Sequence, residues 1–140
     1  MVRFKIVDNR LAVSKKIKEL QERLGRLPKE YLKEFANEVV LNSPVDTGTY
    51  MDAHNVGVEG PVVSSHGKPR NQPYEPHAND ALARLYAQID ALPDEQTKYY
   101  ISNNSVHAFR VEYEYGYAPY TTARARAQEL LDKVIRETGL

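Results

Sequence analysis

The chain has 140 residues and no cysteine, and its 19 basic and 19 acidic residues leave a net charge of zero. This length fits one domain with a core of its own, and the missing cysteines exclude disulfides and thiol chemistry. The first residues lack the continuous apolar run of a signal peptide, and no stretch approaches the ~20 apolar residues of a membrane span.

The charges are unevenly distributed along the chain. Residues 1–33 carry ten Lys or Arg against four Asp or Glu, whereas residues 34–120 carry five against twelve. A self-assembling protein gains from this separation, because the basic segment of one copy meets the acidic segment of the next. Contact with nucleic acid is an alternative use of a basic segment, and a solvated helix face is the ordinary explanation.

The N-terminal third predicts a basic helical arm over residues 8–42. A short strand over 4–7 precedes it, and Asp8 or Asn9 supplies the N-cap. Pro28 suits the first turn of a second helix, so we expect the arm to be broken there. Apolar residues at helical spacing mark a thin stripe on the first helix (Val13, Ile17, Leu20, Leu24, Leu27) and a wider one on the second (Tyr31, Leu32, Phe35, Ala36, Val39, Val40). The wider stripe is expected on the core, and part of the thin one faces the core or a partner.

A rigid corner is expected after the arm. Its residues are Pro44, Val45, Asp46, Thr47 and Gly48. Pro44 donates no backbone hydrogen bond and forces Ser43 out of helical geometry, and Gly48 adopts a positive φ without steric cost. Side-chain oxygens of Asp46 and Thr47 bond to nearby backbone N–H groups. An ordinary helix-stop turn has the same composition.

The remaining segments predict an α+β body in a single domain over residues 1–140. Amphipathic N-terminal, middle and C-terminal helices are expected to pack on a small, mainly antiparallel sheet. The predicted elements are a strand over 55–59, a long Pro-rich loop over 60–77, a helix from Asn79 or Asp80 to about Leu92, a strand over 98–102, an Asn103–Asn104 turn and a final helix from Thr121 or Thr122 to Gly139. A loop of that length is usually functional, so we interpret 60–77 as an interaction arm.

Residues 108–115 allow two interpretations. Apolar and aromatic residues alternate with charged ones, as in a half-buried strand: Phe109, Val111, Tyr113 and Tyr115. A helical face fits as well, with Ala108, Val111, Glu112 and Tyr115. The sequence leaves both structures open.

Tyrosine is concentrated late in the chain, with six of the ten between Tyr99 and Tyr120. Tyrosine is enriched at protein interfaces, although a Tyr-rich edge of the core is an equal alternative. The candidate subunit-interface residues are Lys15, Lys16, Lys18, Glu112, Tyr113, Tyr115, Tyr117 and Tyr120.

No catalytic constellation is evident from the sequence. It lacks a P-loop, a dinucleotide-binding glycine signature and a nucleophile elbow, and its four histidines have no metal-ligand spacing. Arg124 and Arg126 near a helix start could meet an anion, but a solvated helix face explains them as well. We therefore expect no enzyme activity, and we assign no catalytic, cofactor-binding or metal-binding residue.

Two stretches together resemble one protein family. Residues 42–48, Asn-Ser-Pro-Val-Asp-Thr-Gly, resemble the "PVDTG" signature of small neck and tail-completion proteins of tailed bacteriophages, relatives of the minor tail protein Z group. Residues 100–104, Tyr-Ile-Ser-Asn-Asn, with Ala108 and the Glu-Tyr pair before Gly116, resemble the family's second conserved segment. The chain departs from the family pattern at three places. Thr49–Tyr50 stand where the family has a basic–apolar pair, and His107 stands where it has a tyrosine. The family's Glu-Tyr-Gly is spread over residues 112–116.

The resemblance covers roughly residues 10–138 and implies a structural role without catalysis. It implies a virion protein of the head–tail junction, made in the host bacterial cytoplasm and assembled as a homo-oligomeric ring of six- or twelve-fold symmetry. The implied partners are portal-side, connector and tail proteins, with at most non-specific contact with genome DNA and no membrane. The resemblance also implies that residues 106–113 are partly helical. A basic-armed DNA-binding accessory protein is the alternative function.

Overall fold

The computed structural model describes residues 6–45, 48–60, 73–94 and 98–139. They form a mostly helical α+β fold in which five helices pack with a two-stranded antiparallel sheet, so the predicted fold class is confirmed. The elements in chain order are α1 (Ile6–Leu41), β1 (His54–Gly57), α2 (Tyr74–Asp90), β2 (Tyr100–Asn103), α3 (Ala108–Tyr113), α4 (Pro119–Ala125) and α5 (Ala127–Thr138).

The arm is one continuous helix. α1 has 36 residues, about 54 Å at a rise of about 1.5 Å per residue, and contains Pro28 in its interior. The predicted break at Pro28 is therefore wrong, as is the predicted strand for residues 6–7; residues 4–5 lie outside the described ranges. Proline removes one backbone hydrogen bond, but the helix continues. The part that follows Pro28 is joined to the body by ion pairs: Lys29 pairs with Asp94 at 2.8 Å and Lys33 with Asp90 at 2.7 Å.

The core lies between the C-terminal half of α1, α2 and β1. Its buried apolar side chains are Leu32, Ala36, Val40, Met51, Val56, Ala78, Ala81, Leu85 and Ile89. They come from the wider stripe of α1 and from one face of α2, as helical periodicity requires. The predicted burial of the wider stripe is thus confirmed for four of its six residues, whereas Tyr31 and Phe35 are half-buried.

The sheet pairs β1 with β2 in antiparallel register, with Val56 opposite Ile101. α2 covers the outer edge of β1, because Gln88 Oε1 accepts the Val56 N–H at 3.0 Å and Arg84 donates to the His54 carbonyl. The sheet is therefore attached to α2 by polar side chains as well as by the core.

α2 begins earlier than predicted. It starts at Tyr74, with Pro73 at the N-cap position, rather than at Asn79 or Asp80, and it ends at Asp90. Pro76 is tolerated because the N–H groups of a first helical turn have no intrahelical partner. The expected loop therefore loses residues 74–77 to a helix, and its central residues 61–72 lie outside the described ranges.

Residues 108–113 form α3, which settles the strand–helix ambiguity in favour of the helix. Val111 faces inward at 4% exposure, whereas Phe109 and Tyr113 are each 65% exposed. The alternation along the sequence thus reflects exposed aromatic side chains rather than a buried strand face.

The predicted final helix is two helices, α4 and α5, separated at Arg126. The predicted threonine caps are wrong: Ala118 occupies the N-cap of α4 with φ 41° and Pro119 follows at the first helical position. The predicted stop at Gly139 is confirmed, with φ 73°. None of the described helices is long and apolar enough to cross a membrane.

Candidate functional site

The corner packs on α2 through Gly48. Its φ is 86°, and a Cβ at this position would lie 2.2 Å from Cε1 of the fully buried His77. Both the backbone conformation and the space therefore require glycine. Asp46 and Thr47 of the predicted corner lie outside the described ranges.

A buried hydrogen-bonded cluster joins the end of α1 to the sheet and to α4. His54, 0% exposed, places Nε2 2.9 Å from Ser43 Oγ and Nδ1 2.7 Å from the Tyr120 hydroxyl. Asn103 Nδ2 lies 3.2 Å from the same Nδ1. We call Ser43, His54, Asn103 and Tyr120 the His54 cluster.

The hydrogen bonds determine the tautomer of His54. The hydroxyl proton of Ser43 goes to the Val39 carbonyl at 2.7 Å, so Ser43 Oγ accepts from His54 Nε2–H. The Asn103 amide is oriented by donating to the Tyr50 carbonyl and accepting from the Ser105 N–H, so its Nδ2 also donates to Nδ1. His54 is therefore neutral, with Nδ1 as acceptor and the Tyr120 hydroxyl as donor.

Burial fixes the protonation of the tyrosines near this cluster. Burial raises the pKa of Tyr120 well above its ordinary value, and burial together with the Glu112 charge raises that of Tyr50. Both phenols stay protonated at neutral pH, and the Tyr120 hydroxyl donates to His54 Nδ1. The cluster has the properties of a structural latch, since each proton has an assigned acceptor.

Arg84 approaches the cluster from α2. Burial lowers the pKa of its guanidinium, and the Asp52 charge opposes this effect. Nη1 bonds to Asn55 Oδ1 at 3.2 Å as well as to the His54 carbonyl, whereas Nη2 is buried without a hydrogen-bond partner among the described residues.

Glu112 connects α3 to α4. Its Oε1 accepts the Tyr120 N–H and its Oε2 accepts the Thr121 N–H, both at 2.9 Å. Burial raises the pKa of the Glu112 carboxyl, but the bonds from Thr121 and Tyr120 and the charge of Arg124 outweigh it, so the pKa lies below its ordinary value. The carboxylate thus satisfies free N–H groups of the first turn of α4.

Five exposed apolar side chains surround α3, and we call them the aromatic patch: Val106, Phe109, Tyr113, Tyr115 and Tyr117, between 50% and 92% exposed. A cleft of about 320 Å³ separates part of this patch from Pro44 and Val45. A second cleft, of about 240 Å³, runs between Ile101 of β2 and the rings of Phe109 and Tyr113.

A second exposed apolar surface lies on the first part of α1. Every residue from Val13 to Leu24 is exposed, including the apolar ones. We call Val13, Ile17, Leu20 and Leu24 the arm stripe; they are 54%, 50%, 41% and 55% exposed. Their spacing of four, three and four places them on one helical face.

Several acidic residues of the body are paired within the chain. Glu38 binds Arg126 at 2.7 Å and Glu34 binds Lys133 at 3.1 Å, in addition to the pairs of Asp90 and Asp94 with α1. The uneven charge distribution along the sequence is thus partly neutralised by folding.

The candidate interface residues occupy three environments. Lys15, Lys16 and Lys18 lie exposed on the arm, and Tyr113, Tyr115 and Tyr117 lie exposed in the aromatic patch. Glu112 instead bonds to a backbone N–H of α4, and the Tyr120 hydroxyl bonds to His54. Both residues therefore stabilise the fold.

The His54 cluster was missed by sequence reasoning. Its members are separated by 11, 49 and 66 positions, a spacing that carries no pattern. The one local signal was the polar pair Arg84 and Gln88, four residues apart on α2, which proved to face the sheet.

Among the described residues, no group of three or more His, Asp or Glu side chains is arranged to hold a metal ion. Comparison with known protein families, with curated proteins and with solved structures finds no match to this chain.

Proposed function

We propose that this chain is a structural protein of the tailed-bacteriophage virion, a ring-forming neck or tail-completion subunit between the head and the tail. The observation that carries the proposal is that two apolar surfaces, the arm stripe and the aromatic patch, are both exposed on one chain. Exposed apolar patches of this kind are typical of proteins that assemble.

The two surfaces are too far apart to cover each other in one molecule. The aromatic patch adjoins the turn after α1, as the cleft against Pro44 and Val45 shows. At about 1.5 Å per residue, Leu24 lies about 25 Å and Val13 about 42 Å along the helix from Leu41. Two different surfaces on one chain fit a head-to-tail contact, which generates a ring when the rotation closes.

The resemblance described above supports the same class of protein. Its two segments, 42–48 and 100–116, lie far apart in sequence but meet in the fold: Ser43 and Asn103 both contact His54, and Pro44 and Val45 share a cleft with Val111. The segments that carry the resemblance therefore form one structural unit.

Charge gives the arm a second means of contact with a neighbouring copy. Lys15, Lys16 and Lys18 are exposed, and the body still exposes Glu59 and Glu75 after its internal ion pairs are formed. We expect assembly to weaken between low and high salt, because exposed charge pairs are screened. Assembly that is indifferent to salt would remove the charge contribution.

The experiment is to measure mass against concentration by sedimentation and to image the particles by electron microscopy. Closed rings are expected. Ile17→Gln should shift assembly to at least about tenfold higher concentration, because it removes apolar area from the contact. The control is Glu19→Gln, which introduces glutamine on the opposite face of the helix. This variant should assemble like the parent protein. A chain that stays monomeric to the highest concentration, with both variants alike, would contradict the proposal.

A basic-armed DNA-binding accessory protein is the second candidate. The exposed Lys15, Lys16 and Lys18 favour it, because lysines on one helix bind phosphates without reading sequence. A gel-shift with duplex DNA at moderate salt separates the candidates. Strong retention that is lost on Lys15→Gln/Lys18→Gln would favour the accessory protein, and little retention is expected of a neck protein.

A further inference from the structure

We infer that the arm stripe of one copy docks against the aromatic patch of the next copy, between α3 and the β2–α4 side of the body. The occupant of the patch is thus a second copy of this chain, bound through its N-terminal helix. This inference rests on the proposed assembly and specifies its contact surface.

The arm has the form of a helix that binds in a groove. Its anchors fall at positions 13, 17, 20 and 24, the spacing with which amphipathic helices insert an apolar face into a partner. Lys15, Lys18 and Glu22 point away from this face, so docking buries no charged side chain at its centre. This segment is continuous with the rest of α1, so the arm stripe is already helical before a partner binds.

The aromatic patch has the area that such a helix requires. A Tyr or Phe side chain has about 150–250 Å² of surface. The four aromatic side chains of the patch are each between one half and two thirds exposed, so together they expose roughly 350–600 Å². That is roughly half to three quarters of the ~800 Å² that each partner contributes to a stable interface. The clefts of about 240 and 320 Å³ on the two sides of α3 provide depressions for aliphatic side chains.

Other pairings leave one surface uncovered. An arm–arm coiled coil would hide the stripe but not the patch, and its apolar repeat spans less than the three to four heptads that a coiled coil needs. A two-fold contact between patches would leave the stripe exposed. The arm-to-patch contact covers both surfaces in every copy.

The absence of cysteine from the chain allows a direct test. Ile17→Cys and Phe109→Cys are made separately, since both positions are exposed, and one of them carries a mass tag. The two proteins are mixed at assembling concentration and treated with a short bis-maleimide crosslinker. Mixed dimers are expected to exceed either homodimer at least about fivefold.

A control and a double variant complete the experiment. Glu19→Cys, on the opposite face of the arm, should give at least about fivefold less mixed product with Phe109→Cys. A chain carrying both Ile17→Cys and Phe109→Cys should give a ladder of covalent oligomers that ends at the ring size.

The outcomes separate this inference from the proposed function. Rings in which Ile17→Cys links mainly to itself, or Phe109→Cys to itself, would overturn the inference and leave the ring intact. Mixed crosslinks in open filaments would support the contact and overturn the ring. No oligomer and no crosslink would overturn both.

Discussion

Single residues of this protein carry constraints that come from distant parts of the chain. Gly48 needs both a left-handed backbone and an empty Cβ position, because His77 of α2 occupies the space beside it. His54 needs a donor from α4 and an acceptor from the end of α1. Each of these requirements leads to a mutation with a matched control.

Gly48→Ala should lower the free energy of unfolding by more than 2 kcal/mol. A non-glycine residue at φ 86° costs about 1–2 kcal/mol, and the new Cβ would overlap with His77. Gly116→Ala is the control, since Gly116 has φ 83° and no atom within 4 Å of a Cβ. It should show the backbone cost alone in urea unfolding. Equal losses in the two variants would mean that His77 moves away freely.

Tyr120→Phe should cost about 1–2 kcal/mol, because it leaves the buried acceptor Nδ1 of His54 without its hydroxyl donor. Tyr117→Phe removes a hydroxyl from a ring that is 50% exposed and should change stability by less than about 0.5 kcal/mol. Thermal or urea unfolding of both variants measures the difference. A neutral Tyr120→Phe would show that the cluster does not stabilise the fold.

At the scale of elements, short helices are fixed by side chains of their neighbours. α4 has 7 residues and begins without a side-chain cap of its own, and Glu112 of α3 bonds to its first N–H groups instead. The Glu112 carboxylate therefore helps to orient α3 and the aromatic patch on α4, together with the bond from the Ala118 N–H to the Val111 carbonyl at 3.2 Å.

Glu112→Gln should cost about 1 kcal/mol at neutral pH, as loss of a helix cap does. The folded-state pKa of Glu112 is below its ordinary value of 4.5, so its stabilisation is fully present above that pH and is lost as pH falls through the folded pKa. The difference between parent and variant should therefore shrink below about pH 4.5. Unfolding free energies measured from pH 7 to pH 3 test this.

Glu114→Gln is the neighbouring control. Glu114 is exposed and meets Arg110 at 3.7 Å, a surface pair worth about 0–1 kcal/mol. Its loss should be small. A Glu112 variant that behaves like the Glu114 variant would contradict the capping role.

At the scale of the whole molecule, residues 13–24 of α1 contribute no buried side chain. Residues 13–24 are exposed throughout, and Lys29, Lys33, Glu34 and Glu38 provide the ion pairs with the rest of the chain. The body therefore has its core and these ion pairs without residues 13–24.

A chain that starts at residue 23 should fold with a melting temperature within a few degrees of the parent, since no buried side chain of the core is removed. It should also fail to assemble, because Val13, Ile17 and Leu20 of the arm stripe are removed. Thermal unfolding and sedimentation measure the two effects. Unfolding of the truncated chain would show that the arm stabilises the monomer, and retained assembly would show that other surfaces hold the ring.

The sequence by itself determined the parts of this protein that depend on local pattern. Helical spacing in α1 and α2, the strands around Val56 and Ile101 and the stop at Gly139 were predicted, because periodicity and turn chemistry act within a few residues. The α+β class followed from these elements. Aromatic residues near 109–117 were identified, but alternation alone did not distinguish a strand from exposed side chains on a helix.

Only the tertiary structure decided the remaining features. α1 continues through Pro28 without a break, and Glu112 reaches α4 because α3 is helical. The His54 cluster joins residues up to 66 positions apart, and Gly48 meets His77 across the fold. Such contacts depend on how elements pack together, and the packing energy of one residue is spread over partners that no local pattern of the sequence identifies.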